Sequence, residues 1–183
     1  MFQGYEIPLS QLFWHWDGIS PESSRPTAIA LENQRGCAYC EEIPFSKDEI
    51  RQAQLDAVKQ NNLPDAYIRP MVFYGSEGMG LRAAGLKVHV IVAAWSWPSY
   101  MSPEALENGI KVRTSSYTRH HVNISMCKAK ANGHYINSML ALKEALSGGA
   151  DEALLLDPEG YVAEGSGENI FNVYKGKLYT PEL

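Results

Sequence analysis

Ser46 and Glu49 stand three residues apart at the head of SKDEIRQAQLDAVKQNN, a capping-box pattern that fixes where a helix must begin. Ile50, Ala53, Ala57 and Val58 then fall on one helical face. Beyond this helix the period changes. AYIRPMVFYG is rich in strand formers, and Pro70 confines it to an edge or a bend. After the turn-rich GSEGMG, the run LKVHVIVAAW alternates Leu86, Val88, Val90 and Val92 against Lys87, His89, Ile91 and Ala93, the pattern of a mostly buried strand. A chain that switches from helical to strand periodicity in this way is neither all-helical nor all-strand.

The second half repeats the mixture. Trp95, Trp97 and Tyr100 crowd a loop carrying Pro98, and GIKVRTSSYT reads as a short strand. The polar stretch RHHVNIS is the candidate domain crossing. A second helix is predicted beyond Gly133, with Tyr135, Met139, Leu142 and Leu146 on one stripe and Gly148 and Gly149 closing it. Strands follow at EALLLD, at YVAEG after a PEG turn, and in NIFNVY, which turns at Lys175 and Gly176 into KLYTP. Residues 1 to 41 lack sustained periodicity: LFWHWDG is followed by the turn-rich SPESSRPTA, and no fold is assigned to them.

The chain of 183 residues is 45% hydrophobic and 20% charged, enough for one good core or two small ones. Its net charge of -5 gives no electrostatic reason to expect nucleic acid or an anionic membrane as partner. No apolar run is long enough to span a bilayer, and MFQGYEIPLS lacks a basic region ahead of an apolar signal core, so a cytoplasmic location is expected. Cys37, Cys40 and Cys127 do not make a disulfide framework. Cys37 and Cys40 form one CxxC with no second pair, so reduced thiols are expected and no metal site is assigned.

Chemistry concentrates in two motifs. Lys130 lies in KAKANGHYINSML among the small residues Ala129, Ala131 and Gly133, which leave room for a flat ring; Lys128 lacks the following motif and reads as a solvated neighbour. Glu164 opens EGSGENIF, where Gly165 and Gly167 permit close backbone approach to a ligand. An amine and a carboxylate are the two charges required by pyridoxal phosphate: one holds the aldehyde as an imine, the other keeps the pyridine nitrogen protonated. Tyr135 could donate to the ring's phenolic oxygen or belong to the core, and pattern alone leaves both open. By residues alone, Arg69 also fits a strand-edge charge, and Trp97 and Tyr100 fit core aromatics.

From about Ile43 to Leu183 the chain resembles the branched-chain amino acid aminotransferases of the fold type IV pyridoxal phosphate enzymes. NNLPDAYIRPMVFYG, GMGL, AAWSWPSY, KVRTSSYTRHHVNIS, KAKANGHYINSML, DEALLLDPEGYVAEGSGENIF and LYTPE carry the likeness, in the family's order. The resemblance implies an α/β (α+β) fold in two domains, with residues 42–118 in a small α/β domain and 119–183 opening the cofactor-binding domain. It implies pyridoxal 5'-phosphate as cofactor, with Lys130 as the catalytic amine, Tyr135 on the ring's phenolic oxygen and Glu164 on its nitrogen. Tyr67 and Arg69 match positions that contact substrate carboxylates, Trp97 and Tyr100 match the apolar pocket, and Gly167 is placed with the substrate-binding residues. The implied reaction exchanges an amino group between leucine, isoleucine or valine and 2-oxoglutarate, in a homo-oligomer.

The resemblance stops short at both ends. Residues 1–41 do not carry the family's YGxGVFEG or RLxxSA segments, and neither Arg25 nor Arg35 sits in a matching context. The GITR-type helix start expected after LYTPE is not reached. An incomplete member of the family is therefore expected, without a recognisable phosphate anchor. A non-catalytic remnant, and a D-amino acid aminotransferase or aminodeoxychorismate lyase, are the alternative readings.

Overall fold

The computed structural model describes residues 43–82, 85–97, 101–125 and 131–181. The expectations for residues 1–41, Tyr100, Lys128 and Lys130 and for the three cysteines lie outside the described residues. The chain divides into two compact units, one holding the described residues up to Trp97 and the other those from Met101 onward. Among the described residues no helix is long and apolar enough to cross a membrane.

In the first unit, α1 (Lys47–Gln60) starts at the capping box: Glu49 N donates to Ser46 Oγ at 3.3 Å, and Ser46 N donates to Glu49 Oε2 at 2.7 Å. Ile50 and Gln54 are its buried residues, with Ala57 and Val58 half-buried. Ala53, expected on this face, is exposed. The buried face runs i, i+4, i+7, i+8 and leans toward Gln54, whose Nε2 donates to Ile50 O at 3.3 Å.

Helix α1 packs on an antiparallel pair, β1 (Tyr67–Tyr74) and β2 (Val88–Trp95), registered from Tyr67 opposite Trp95 to Tyr74 opposite Val88. Both strands of a two-stranded ribbon are edges, which is why Pro70 is tolerated opposite Val92. Strand β2 was expected to be mostly buried; instead Val88, Val90, Val92 and Ala94 are half-buried, while His89, Ile91, Ala93 and Trp95 are exposed. Among the described residues the ribbon has two strands and one helix packed on it, which cover a single face.

The second unit opens with α2 (Pro103–Asn108), a short helix absent from the sequence reading. Its signals are local: Ser102 Oγ accepts from Ala105 N at 3.1 Å, Pro103 begins the first turn, and Gly109 ends it at φ 87°. Strand β3 (Val112–Thr114) pairs in parallel with β4 (Glu152–Leu156), which pairs antiparallel with β5 (Val162–Gly165). The parallel ladder ties residues 112–114 to residues 152–154.

Between β3 and β4 runs α3 (Tyr135–Ser147), entered through a 3-10 turn at Asn132–His134. Of the stripe Tyr135, Met139, Leu142 and Leu146, Met139 and Leu146 are 69% and 55% exposed, Tyr135 is also exposed and Leu142 is half-buried. Helix α3 instead buries Ser138, Ala141 and Ala145, and the two alanines pack with Ala153 and Leu155 of β4. Small side chains let the helix backbone approach the strand closely. A separate hairpin, β6 (Asn172–Tyr174) and β7 (Lys177–Tyr179), turns at Lys175 and Gly176. The turn falls where it was expected, and the positive φ values of 50° and 74° are those that a type I′ turn requires.

Candidate active site

The register of the three-stranded sheet places Glu164 on β5 opposite Leu155. On the other side of β4 the chain continues alongside after β3 ends: Ser115 N donates to Leu154 O at 2.9 Å and Arg119 N donates to Leu156 O at 2.8 Å. Arg119 and Glu164 thus flank the C-terminal end of β4, and Arg119 Nε forms an ion pair with Glu164 Oε1. Both side chains are about a quarter exposed, so the pair is reachable without being freely solvated. A planar guanidinium fixes the orientation of the carboxylate it pairs with.

The segment carrying Arg119 is clamped to α3. Glu144 Oε2 accepts from Ser115 Oγ at 2.6 Å and from Ser116 N at 2.8 Å, while Asn137 Nδ2 donates to Thr118 O at 2.8 Å. The Ser115 hydrogen bond, followed by those from Ser116 and by the charge of Arg113, lowers the Glu144 carboxyl to about 2. A depressed carboxyl contributes stability that is fully present above its ordinary value of 4.5 and is lost as pH falls toward about 2. Glu144→Gln is expected to remove that part of the acid dependence, read as the urea midpoint between about pH 5 and about pH 2.5. An unchanged acid limb would contradict the clamp.

Beside Arg119, Nη1 lies 3.3 Å from His120 Nδ1, and since guanidinium only donates, the ring nitrogen accepts. Burial first, then the charges of Arg119 and His134, hold His120 below the ordinary histidine range. Tyr135 begins α3, three residues after the start of the 3-10 turn.

After Glu164 the backbone turns tightly. A Cβ at Gly165 would meet Glu168 Oε2 at 2.9 Å and Glu168 O at 3.4 Å, so no side chain fits without displacing Glu168. Gly167 has open space where a Cβ would be.

In the first unit, Tyr67, Trp95 and Trp97 form an aromatic cluster with ring centroids 4.9 Å, 4.8 Å and 5.7 Å apart. Arg69 Nη2 donates to Tyr67 OH at 2.8 Å and its guanidinium lies 5.2 Å from that ring's centre. Of the predicted residues, Tyr67, Arg69 and Trp97 therefore belong to one unit and Tyr135, Glu164 and Gly167 to the other. Arg69 and Trp95 are exposed and Trp97 is half-buried, which is not the setting of core aromatics.

The family model for amino-transferase class IV matches residues 34–183. The chain belongs to the class IV aminotransferases. Within that family it is 75% identical to a branched-chain-amino-acid aminotransferase of Pseudomonas aeruginosa over 142 residues, 78% of this chain and 46% of that one. The crystal structure of the Escherichia coli branched-chain amino acid aminotransferase superposes with TM-score 0.78 at 41% identity, over 84% of this chain and 51% of that one. A T.th. branched-chain amino acid aminotransferase complexed with N-(5'-phosphopyridoxyl)-L-glutamate matches with TM-score 0.70 at 42% identity, over 79% of this chain and 46% of that one. The chain spans about half the length of the curated relatives it matches.

Sequence reasoning did not single out Arg119, Glu144 or Glu152. Arg119 sits in RHHVNIS, where nothing local points to a partner 45 positions on.

Proposed function

We propose that this class IV aminotransferase sequence serves transamination of leucine, isoleucine or valine with 2-oxoglutarate, using pyridoxal 5'-phosphate. The observation that carries the reading is Glu164, ion-paired to Arg119 at the end of β5 and followed by open backbone at Gly167. An oriented carboxylate beside unfilled space suits a flat ring bearing a protonated nitrogen, so these residues fit the cofactor. The named relatives support the same activity. When bound, pyridoxal phosphate supplies an electron sink for the substrate's α-carbon.

The chain's own residues then have definite tasks. Lys130 Nζ holds the cofactor covalently and, once released, takes the proton from the amino acid's α-carbon; in the return half it delivers a proton to the α-carbon of the new amino acid. Glu164 accepts from the ring N–H, and Arg119 keeps the carboxylate in place. Tyr135 donates its hydroxyl to the ring's phenolic oxygen. Tyr67 and Arg69 contact the substrate carboxylates, with Arg69 serving the side-chain carboxylate of glutamate and 2-oxoglutarate, 2.8 Å from the Tyr67 hydroxyl to which it donates. Trp97 and Tyr100 supply apolar wall for the branched side chains, and Gly167 lets the substrate approach the backbone. The reading includes homo-oligomeric assembly and a cytoplasmic location.

Glutamate formed from leucine and 2-oxoglutarate tests this reading. Arg69→Ala is expected to raise KM for 2-oxoglutarate by about 10- to 100-fold, the effect of losing one charge-assisted hydrogen bond. KM for leucine should stay nearly unchanged, because its side chain carries no charge. Equal losses for both substrates would remove Arg69 from the proposed role. Folded protein that takes up cofactor without exchanging the amino group would favour the non-catalytic alternative.

A further inference from the structure

Two acidic side chains under the Glu164 loop have no task in the reaction above. Glu152, at the start of β4, is only 2% exposed. Its Oε1 accepts from Ala153 N at 2.6 Å and Ser166 N at 3.2 Å, while its Oε2 is buried with no hydrogen-bond partner among the described residues. Glu168 faces it. Glu168 Oε2 accepts from Gly167 N at 3.1 Å, and Glu168 O accepts from Gly165 N at 2.8 Å. Together the two residues take the amide hydrogens of Gly165, Ser166 and Gly167, the three positions directly after Glu164. An orphaned buried carboxylate oxygen is costly unless a donor is supplied, and backbone amides are already spent on the other oxygens.

We infer that Glu152 and Glu168 share one proton, that Glu168 donates it to Glu152 Oε2, and that this pair is the positioning device holding the Gly165–Gly167 backbone and, through it, Glu164. As two carboxylates, the pair would leave Glu152 Oε2 without a hydrogen and place two like charges together in a buried site. As an acid and a carboxylate, every oxygen of Glu152 is satisfied. Burial first, then the Glu152 charge, pushes the Glu168 carboxyl up to about 7; the Gly167 hydrogen bond opposes this, and the Glu164 charge adds to it. Among the described residues the charged groups around the pair are Glu164 on β5 and, paired with Glu164, Arg119. Asp151, next to Glu152, accepts from Lys111 N at 2.8 Å instead.

The pair stands independently of the cofactor assignment, whereas its bearing on Glu164 rests on the function proposed above. Loss of the shared proton to solvent above neutral pH should loosen the loop. Carbon NMR of the full chain labelled at the glutamate carboxyl carbon, without cofactor, tests the pair directly. One carboxyl signal, absent in Glu168→Gln, should titrate at about pH 7. Amide hydrogen exchange at Ser166 and Gly167, corrected for the intrinsic rate, should speed up about tenfold or more above that pH, as expected from losing one buried hydrogen bond.

Glu168→Gln keeps a donor for Glu152 and an acceptor for Gly167, so its loop should stay protected at about pH 8, where the wild-type pair has lost its proton. Glu168→Ala should lose protection at every pH. No glutamate carboxyl titrating above the ordinary range, or Glu168→Gln behaving like Glu168→Ala, would overturn the inference, and the first of these needs no variant. Because cofactor attachment at Lys130 is scored separately, a normal titration alongside Lys130 labelling would sink the pair alone, and the converse would sink the cofactor reading alone.

Discussion

Replacing Glu164 with glutamine is expected to slow amino-group transfer by about 10²- to 10³-fold, the cost of removing one preorganised electrostatic partner from a reacting centre. Glutamine preserves shape and volume but carries no charge. On the proposed reading two interactions would fail together: the ring nitrogen would lose the carboxylate that keeps it protonated, and Arg119 would lose the ion-pair partner it has across the end of β4. The proposed reading gives cofactor attachment to Lys130, so covalent uptake should persist while the reaction slows. Single-turnover absorbance changes on adding leucine separate the two effects. Wild-type rates in Glu164→Gln would remove the carboxylate from the chemistry and leave the ion pair as a structural contact.

The second large effect is on stability. Leu155 is fully buried in β4 against Ala141 and Ala145 of α3 and its strand neighbour Ala153. Three of these four core side chains are alanine, so Leu155 supplies most of the apolar volume where helix meets sheet. Leu155→Ala should cost about 2–5 kcal/mol, with little scope for a core of alanines to close the cavity. Leu146→Ala removes the same atoms from a side chain 55% exposed on α3 and should cost less than about 1 kcal/mol. Urea unfolding of the two variants checks the contrast. Similar losses at both positions would mean that the outer face of α3 is packed as tightly as the inner one.

That contrast also marks what was legible beforehand. The capping box at Ser46 and Glu49 and the turn at Lys175 and Gly176 could be placed because their hydrogen bonds and φ values depend on residues a few positions away. Helical periodicity located α3 equally well, but it could not choose between the stripe of Met139 and Leu146 and the stripe of Ser138, Ala141 and Ala145. Close approach to β4 made that choice, and the strand lies outside the helix's own sequence. Burial of β2 failed for a related reason: alternation reports that a strand has two faces, and the number of layers covering them is a property of the sheet.

At the site, Glu164 was readable from its motif, yet Arg119 was not, because the parallel alignment of residues 112–119 with β4 is what delivers it to Glu164. Glu152 shows the same limit. An acid at the start of an apolar strand looks like a solvated end until the fold buries it at 2% exposure beneath the following loop. Short helix α2 is the opposite case, since Ser102 and Pro103 carried a readable start signal.

The central claim is that Lys130 is the amine that holds the cofactor. Borohydride reduction of the protein with pyridoxal 5'-phosphate, followed by peptide mapping, measures it most directly. A single phosphopyridoxyl group on Lys130, abolished in Lys130→Ala and retained in Glu164→Gln, is the predicted result. A label spread over Lys128 and surface lysines, or folded protein with no label at all, would contradict it.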